Sequence, residues 1–162
     1  MIIRDALEAD LPAIVEIYNE AIRGRISTAQ LEEVSVEERL PWFHAHSANS
    51  HPLWVAEIDR QIAAWFSFHP FIKRAAYRGT AEISVYVGER SRRRGVGKAL
   101  LKKAIAHSPN LRLSALVGYI FEINEPSVRF RIGETKGRAF QPTFDSIFFQ
   151  TTPAPDKAVR AA

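Results

Sequence analysis

Thr80-Ala81-Glu82-Ile83-Ser84-Val85-Tyr86-Val87, followed by Arg92-Arg93-Arg94-Gly95-Val96-Gly97-Lys98, is the stretch that decides the fold. Residues 81–87 set β-branched and aromatic side chains in alternation with small or polar ones, which is the pattern of a strand. Residues 95–107 put Val96, Ala99, Leu100, Ala104 and Ile105 on one helical face. Between them, residues 88–94 hold Gly88 and four arginines, and Gly95 and Gly97 open the helix. A helix start exposes unpaired N–H groups and a partial positive charge. Glycine lets the backbone come close to a ligand. Strand, glycine loop and helix in that order can therefore cradle a pyrophosphate. The spacing Arg92-x-x-Gly95-x-Gly97 is neither a Walker loop nor a full dinucleotide fingerprint. The pattern alone suits equally a glycine turn before a helix, with its arginines in solvent.

Working outward, Ile2-Ile3-Arg4 predicts a first strand. Asp10 is placed to cap a helix with Pro12 in its first turn, and Gly24 to end it. Ser35-Val36-Glu37-Glu38 has the capping-box form and opens a second helix, which Pro41 should kink or shorten. Residues 52–58 and 62–68 predict a hairpin about an Asp59-Arg60 turn. Residues 111–117 predict a strand after the helix, and residues 144–150 a last one. The organisation is one α/β domain over residues 1–150, with residues 151–162 a loose tail.

Composition narrows the chemistry. The chain has 162 residues, 46% of them hydrophobic, which suits a single domain with a real core. There is no cysteine, so disulfides and thiolate chemistry are excluded. The start has no basic region followed by an apolar core, and no apolar run is long enough to span a bilayer. A cytoplasmic protein without membrane attachment is the simplest reading. The net charge is +4, concentrated at Arg90, Arg92, Arg93 and Arg94 and continued by Lys98, Lys102 and Lys103, which points to an anionic partner. A nucleic-acid partner is disfavoured because the basic run lacks interleaved aromatics for base stacking. His44 and His46 do not share a helix face, and no metal site is expected.

The strand and the loop, Glu82-Ile83-Ser84-Val85-Tyr86-Val87 and Arg92-x-x-Gly95-x-Gly97-Lys98-Ala99-Leu100-Leu101, resemble the GNAT superfamily of N-acetyltransferases. The likeness extends to Arg4-Asp5-Ala6, Asp10-Leu11-Pro12-Ala13-Ile14 and Glu16-Ile17-Tyr18-Asn19-Glu20-Ala21. It also takes in Ser35-Val36-Glu37-Glu38-Arg39-Leu40, Trp42-Phe43, Ala76-Tyr77-Arg78 and Asn124-Glu125-Pro126-Ser127-Val128-Arg129. These segments resemble the phosphinothricin and methionine sulfoximine branch. The resemblance implies a three-layer α/β/α domain whose mixed central sheet splays open beside residues 85–87. It implies acetyl-CoA as co-substrate, with no metal. Backbone groups of Val85, Tyr86 and Val87 would pair with the pantetheine arm. Amides of Arg92, Arg93, Arg94, Gly95, Val96, Gly97 and Lys98 would cradle the pyrophosphate. Asn124 and Ser127 would contact the arm near the thioester. A homodimer is also implied.

Acetyl transfer needs a neutral amine, and an alkylamine of pKa around 10 is neutral in only about one molecule in a thousand at pH 7. A base must take the proton, directly or through water. Glu82 is the candidate, because an ionised group inside a strand is costly without work or a partner. The plain alternative is a strand carboxylate paired with Arg78 or Arg90. The family's Thr-x-Glu motif matches Thr80-Ala81-Glu82 and favours the base. Glu20 matches a position that faces the acceptor. Tyr77 and Arg78 match the substrate side, where Arg78 would hold an acceptor carboxylate. Trp65, Phe68 and Phe71 are candidate pocket walls or plain core.

Two stretches depart from the branch. Residues 23–29 lack its threonine-rich character, which leaves the acceptor open. Residues 130–137 are polar where relatives carry a short helix and a Gly-Phe pair. The leading expectation is an N-acetyltransferase acting on a small amino-acid-like amine. Acetylation of a protein N-terminus or lysine, and an acyl-CoA-binding module without catalysis, are the alternatives.

Overall fold

The computed structural model describes residues 1–72, 74–121, 123–128 and 145–150. Residues 130–137 and the tail at 151–162 lie outside the described residues. Among the described residues these strands and α-helices follow in order: β1 (Ile2–Asp5), α1 (Leu11–Gly24), α2 (Val36–His44), β2 (Leu53–Ile58), β3 (Gln61–Pro70), β4 (Thr80–Val87), α3 (Val96–His107), β5 (Ala115–Ile120) and β6 (Asp145–Gln150). The strands form one sheet in sequence order. All neighbours are antiparallel except β4 and β5, which run parallel. That parallel step requires a crossover, and α3 supplies it.

The two sheet faces are covered by different helices. Trp54, Phe66, Phe68, Ile83 and Leu116 pack against Val96, Leu100, Leu101 and Ala104 of α3. Leu53, Val55 and Trp65 pack on the other face against Leu11, Ile14, Val15 and Ile17 of α1, joined by Trp42 and Phe43 of α2. The result is the expected three-layer α/β/α domain. No helix among the described residues is long and apolar enough to cross a membrane.

Several elements end differently from expectation, for local reasons. Asp10 does not cap α1 with its side chain. Its carboxylate instead grips Arg4 at 2.6 and 2.9 Å and accepts the Leu7 N–H at 2.8 Å. Gly24 remains helical, and Arg25 takes the left-handed conformation that ends α1, at φ 57°. The capping box at Ser35 is present in both directions, Glu38 N–H to Ser35 Oγ and Ser35 N–H to Glu38 Oε2. Pro41 does not stop α2, which runs on to His44. β5 begins at Ala115 rather than at 111. Residues Ser108–Leu111 form a 3-10 turn, and Arg112 is left-handed at φ 57°. The β2–β3 hairpin turns at Asp59 and Arg60 as predicted, both at positive φ, 52° and 62°.

The sheet is open where β4 and β5 part. Their pairing covers only Thr80–Ala115, Ala81–Leu116 and Glu82–Val117. Beyond Glu82, β4 stays paired with β3 as far as Val87 but has lost β5. The splay thus begins at Glu82.

Candidate active site

The antiparallel register sets Trp65 opposite Tyr86, Ser67 opposite Ser84 and His69 opposite Glu82. Trp65 and Tyr86 belong to the α1/α2 layer. Side chains two apart share a strand face, so Ser84 and Glu82 look toward that layer too. Phe68 is fully buried on the α3 side and is core, not pocket wall. Phe71 packs against Tyr77, ring centres 5.6 Å apart.

Glu82 is half-buried, and its carboxylate makes no hydrogen bond or ion pair with any described residue. The plain alternative, a carboxylate paired with Arg78 or Arg90, is absent. Burial raises the Glu82 pKa above the ordinary carboxylate value. Its charge also reaches Tyr86 and Tyr119, and helps raise both phenols. A carboxylate that is partly desolvated, unpaired and seated where two strands part is equipped to accept a proton.

Backbone direction along β4 follows from one bond. Gly88 N–H donates to Ala63 O at 3.0 Å. Ala64 and Val87 are therefore a non-hydrogen-bonded pair, and the N–H and C=O of Val87 point away from β3. By alternation those of Val85 do the same, into the splay. Tyr86 differs, because its backbone groups are committed to Trp65 across the hairpin. Of the three expected backbone contacts, two face the open edge and the third does not.

The loop after β4 makes a 3-10 turn at Glu89–Ser91. Glu20 fixes that turn, its Oε2 accepting the Glu89 N–H at 2.8 Å. The Arg92 amide closes the turn on Glu89 O at 3.3 Å and is engaged there. The Arg92 guanidinium folds back to Val87 O at 3.4 Å. Arg93 turns left-handed at φ 60°, and Gly95 does so at φ 78° to cap α3. Ala99 N–H takes the Gly95 carbonyl at 3.0 Å, so the amides of Val96 and Gly97 precede the first bond of α3. Arg93, Arg94 and Gly95 are exposed. Gly97 lies against β4, where an added Cβ would meet Val87 at 3.4 Å. This loop lies at the C-terminal end of β4, next to the open edge.

Asn124 is buried and opens a helical turn, its Oδ1 accepting the Ser127 N–H at 3.3 Å. Its Nδ2 donates to Ser27 Oγ at 3.2 Å. Tyr86 donates to Ser27 O at 3.3 Å, and Tyr18 bonds Thr28 at 3.0 Å. The segment at 27–28, featureless in the sequence, is therefore tied to β4 and to Asn124. Tyr77 and Arg78 are exposed on the β3–β4 connection, near the end of the strand that carries Glu82.

His69 was not expected here. It lies within β3, beyond the predicted end of that strand. Its Nε2 is 3.0 Å from Ser67 Oγ. Burial, with the neighbouring His46, His51 and Arg39, pushes its pKa down to about 4. It is neutral at pH 7, opposite Glu82. No local motif marks it; only the register of the hairpin places it there.

Known proteins resemble the chain in sequence and in fold. Residues 11–131 match the acetyltransferase (GNAT) family. A Bacillus subtilis protein provisionally named as a phosphinothricin acetyltransferase, YwnH, is 45% identical over 130 residues, 80% of this chain and 79% of its own length. An L-methionine sulfoximine/L-methionine sulfone acetyltransferase of Pseudomonas paraeruginosa is 32% identical over 127 residues, 78% of this chain and 74% of its own. A phosphinothricin acetyltransferase of Sinorhizobium meliloti, solved in complex with acetyl-CoA, superposes with a TM-score of 0.77 at 26% identity, over 91% of this chain and 85% of its own. The chain belongs to the acetyltransferase (GNAT) family and is an N-acetyltransferase.

Proposed function

We propose that the chain moves an acetyl group from acetyl-CoA to the amine of a small amino-acid-like acceptor of the methionine sulfone, methionine sulfoximine or phosphinothricin type, with Glu82 as general base. The observation that carries this reading is the unpaired, half-buried Glu82 carboxylate at the point where β4 and β5 separate. The relatives named above supply the acceptor class.

The residues fit the co-substrate. Val85 and Val87 turn backbone groups into the splay, where an amide-bearing arm needs partners. Amides of Arg93, Arg94, Gly95, Val96, Gly97 and Lys98 would hold the pyrophosphate, with the exposed arginines adding charge. Asn124 and Ser127 would border the arm near its thioester. Acetyl-CoA, when bound, supplies an activated thioester carbonyl. Glu82 takes the proton from the acceptor ammonium, directly or through a water, and an outward N–H of β4 steadies the oxyanion. Glu20 positions the loop through the Glu89 amide and borders the acceptor side. Tyr77 and Arg78 form its outer wall. A homodimer belongs to the same proposal and is read by sedimentation.

Released CoA thiol measured over an amino-acid panel tests the reading. Turnover with methionine sulfone or phosphinothricin, lost in Glu82→Gln, is expected. Equal rates for both proteins would remove Glu82 as the base. Absence of any rise in melting temperature with acetyl-CoA would remove the co-substrate.

A further inference from the structure

Arg39 stands on α2 above the face of the sheet that carries Glu82. Its guanidinium carbon lies 4.3 Å from the centre of the Tyr18 ring and 4.9 Å from that of Trp42. It has no ion pair or hydrogen bond from its side chain among the described residues. Arg4, also partly buried, and Arg23 differ. Arg4 is matched by Asp10 and Glu57, and Arg23 by Glu16 and Glu33. A partly buried guanidinium without an acceptor for its five N–H groups is short of a partner.

A second donor in the same place is also unmatched. Trp65 is buried and touches both rings that carry Arg39, at 6.1 Å from Tyr18 and 5.5 Å from Trp42. Its indole N–H has no partner among the described residues. Trp65 also stacks on Tyr86 at 4.6 Å, on the strand face of Glu82. Trp42 reaches His69, the residue opposite Glu82, at 6.1 Å. The patch beside Glu82 therefore holds a fixed positive charge and a spare donor, and among the described residues no carboxylate answers Arg39 within it.

We infer that Arg39 sets acceptor specificity by holding an anionic oxygen group of the substrate, a carboxylate or a phosphinate, at the Tyr18–Trp42 cage while the amine stands at Glu82. This rests on the acetyl-transfer reading above and adds the residue that selects the acceptor. Guanidinium pairs well with such groups because its planar fork offers two parallel N–H bonds. The two aromatic faces hold the fork in place before substrate arrives, so little is lost in ordering it.

The test compares wild type, Arg39→Gln and Arg39→Lys on three acceptors: methionine sulfone, its carboxamide, and phosphinothricin. Arg39→Gln is expected to raise acceptor KM for the acids at least tenfold, with the KM for acetyl-CoA unchanged. A raised KM for methionine sulfone but not for its carboxamide assigns the α-carboxylate. A raised KM for phosphinothricin alone assigns the side-chain acid. Equal losses on all three acceptors, or no loss, would overturn the inference. Should Arg39→Gln fail to fold, Arg39→Lys decides: it keeps charge and stem but loses the planar fork, so a KM raised several-fold for the acids and not for the carboxamide is expected, and unchanged KM values on all three acceptors would overturn the inference. Wild type that turns over these acids while Arg39→Gln keeps the same preferences sinks Arg39 alone. Wild type that melts higher with acetyl-CoA yet acetylates none of them sinks the acceptor reading and this inference together.

Discussion

His69 on β3 is the direct register partner of Glu82 on β4, so a neutral imidazole faces the carboxylate across the hairpin at the opening of the splay. Glu82 therefore has no cation opposite it to hold its pKa down, and burial moves that pKa upward. Glu82→Gln keeps the shape and removes the base. Its kcat should fall by about 100-fold or more, the usual contribution of a general base. The KM for acetyl-CoA should stay within a few-fold. For wild type, kcat/KM should rise with pH as the base loses its proton, with an apparent pKa above the ordinary carboxylate value. A pH-independent rate in wild type would argue against the assignment.

The same shift has a consequence for stability, and its sign is opposite to that of most carboxylates. Glu82 has a raised pKa in the folded state, so the folded chain holds its proton longer than the unfolded one. The penalty is absent below the unfolded value of 4.5 and develops as pH rises through the folded one. Glu82→Gln should thus melt higher than wild type at pH 7, with the gap closing near pH 4. Scanning calorimetry at both pH values checks this. A variant that melts lower at pH 7 would mean that Glu82 has a stabilising partner.

His69 acts on the acid side. Its pKa of about 4 lies below the unfolded value of 6.5, so the folded chain resists protonation there. Its share of stability is complete above pH 6.5 and drains away as pH falls toward 4. Burial lowers the pKa of His46 as well, and the two rings lie 4.8 Å apart. His69→Gln should flatten the fall in melting temperature between pH 6.5 and 4. An unchanged slope would leave the acid sensitivity to other groups.

Arg4 and Asp10 clamp the start of the chain to α1. The contact is two-pronged, with Glu57 on the far side of the guanidinium. Arg4 and its hydrogen bonds hold the Asp10 carboxyl below the usual range. Asp10→Asn should lower stability by about 1–3 kcal/mol, as expected for loss of bonds to a charged partner. The wild-type contribution is full above the unfolded value of 3.8 and lost as pH falls through the folded one, so the variant and wild type should converge in acid. Urea melts at pH 7 and pH 3 measure it.

Much of this architecture was legible because it depends on local chemistry. The Ser35–Glu38 box, the Asp59-Arg60 hairpin and the alternation of β4 are each specified within a few residues. The order of strand, glycine loop and helix at residues 80–107 was legible for the same reason, as the three are contiguous. Asp10 misled because its carboxylate is nearer in space to Arg4 than to the amides of α1. His69 and Arg39 escaped because what matters about them is who stands opposite, and register and helix packing set that. The segment at Ser27 and Thr28 looked blank because its partners, Tyr86 and Asn124, are 59 and 97 residues away. Tyr86 illustrates the limit most plainly: the strand was foreseen, but only the bond from Gly88 to Ala63 reveals that its backbone faces β3.

Gly95 offers a way to separate loop shape from loop charge. Its φ of 78° is left-handed, and an added Cβ would meet nothing within 4 Å. Alanine there would suffer from backbone strain alone, about 1–2 kcal/mol. Asparagine tolerates the left-handed region better and should lose less. If the cradle works through amides aimed by this turn, Gly95→Ala should weaken acetyl-CoA binding more than Gly95→Asn. Replacing the exposed Arg93 and Arg94 by glutamine should instead act through charge. That loss of affinity should shrink as salt is raised, because exposed charges are screened. Isothermal titration at low and high salt distinguishes the two. Equal affinities for Gly95→Ala and wild type would show that the turn at Gly95 does not set the cradle.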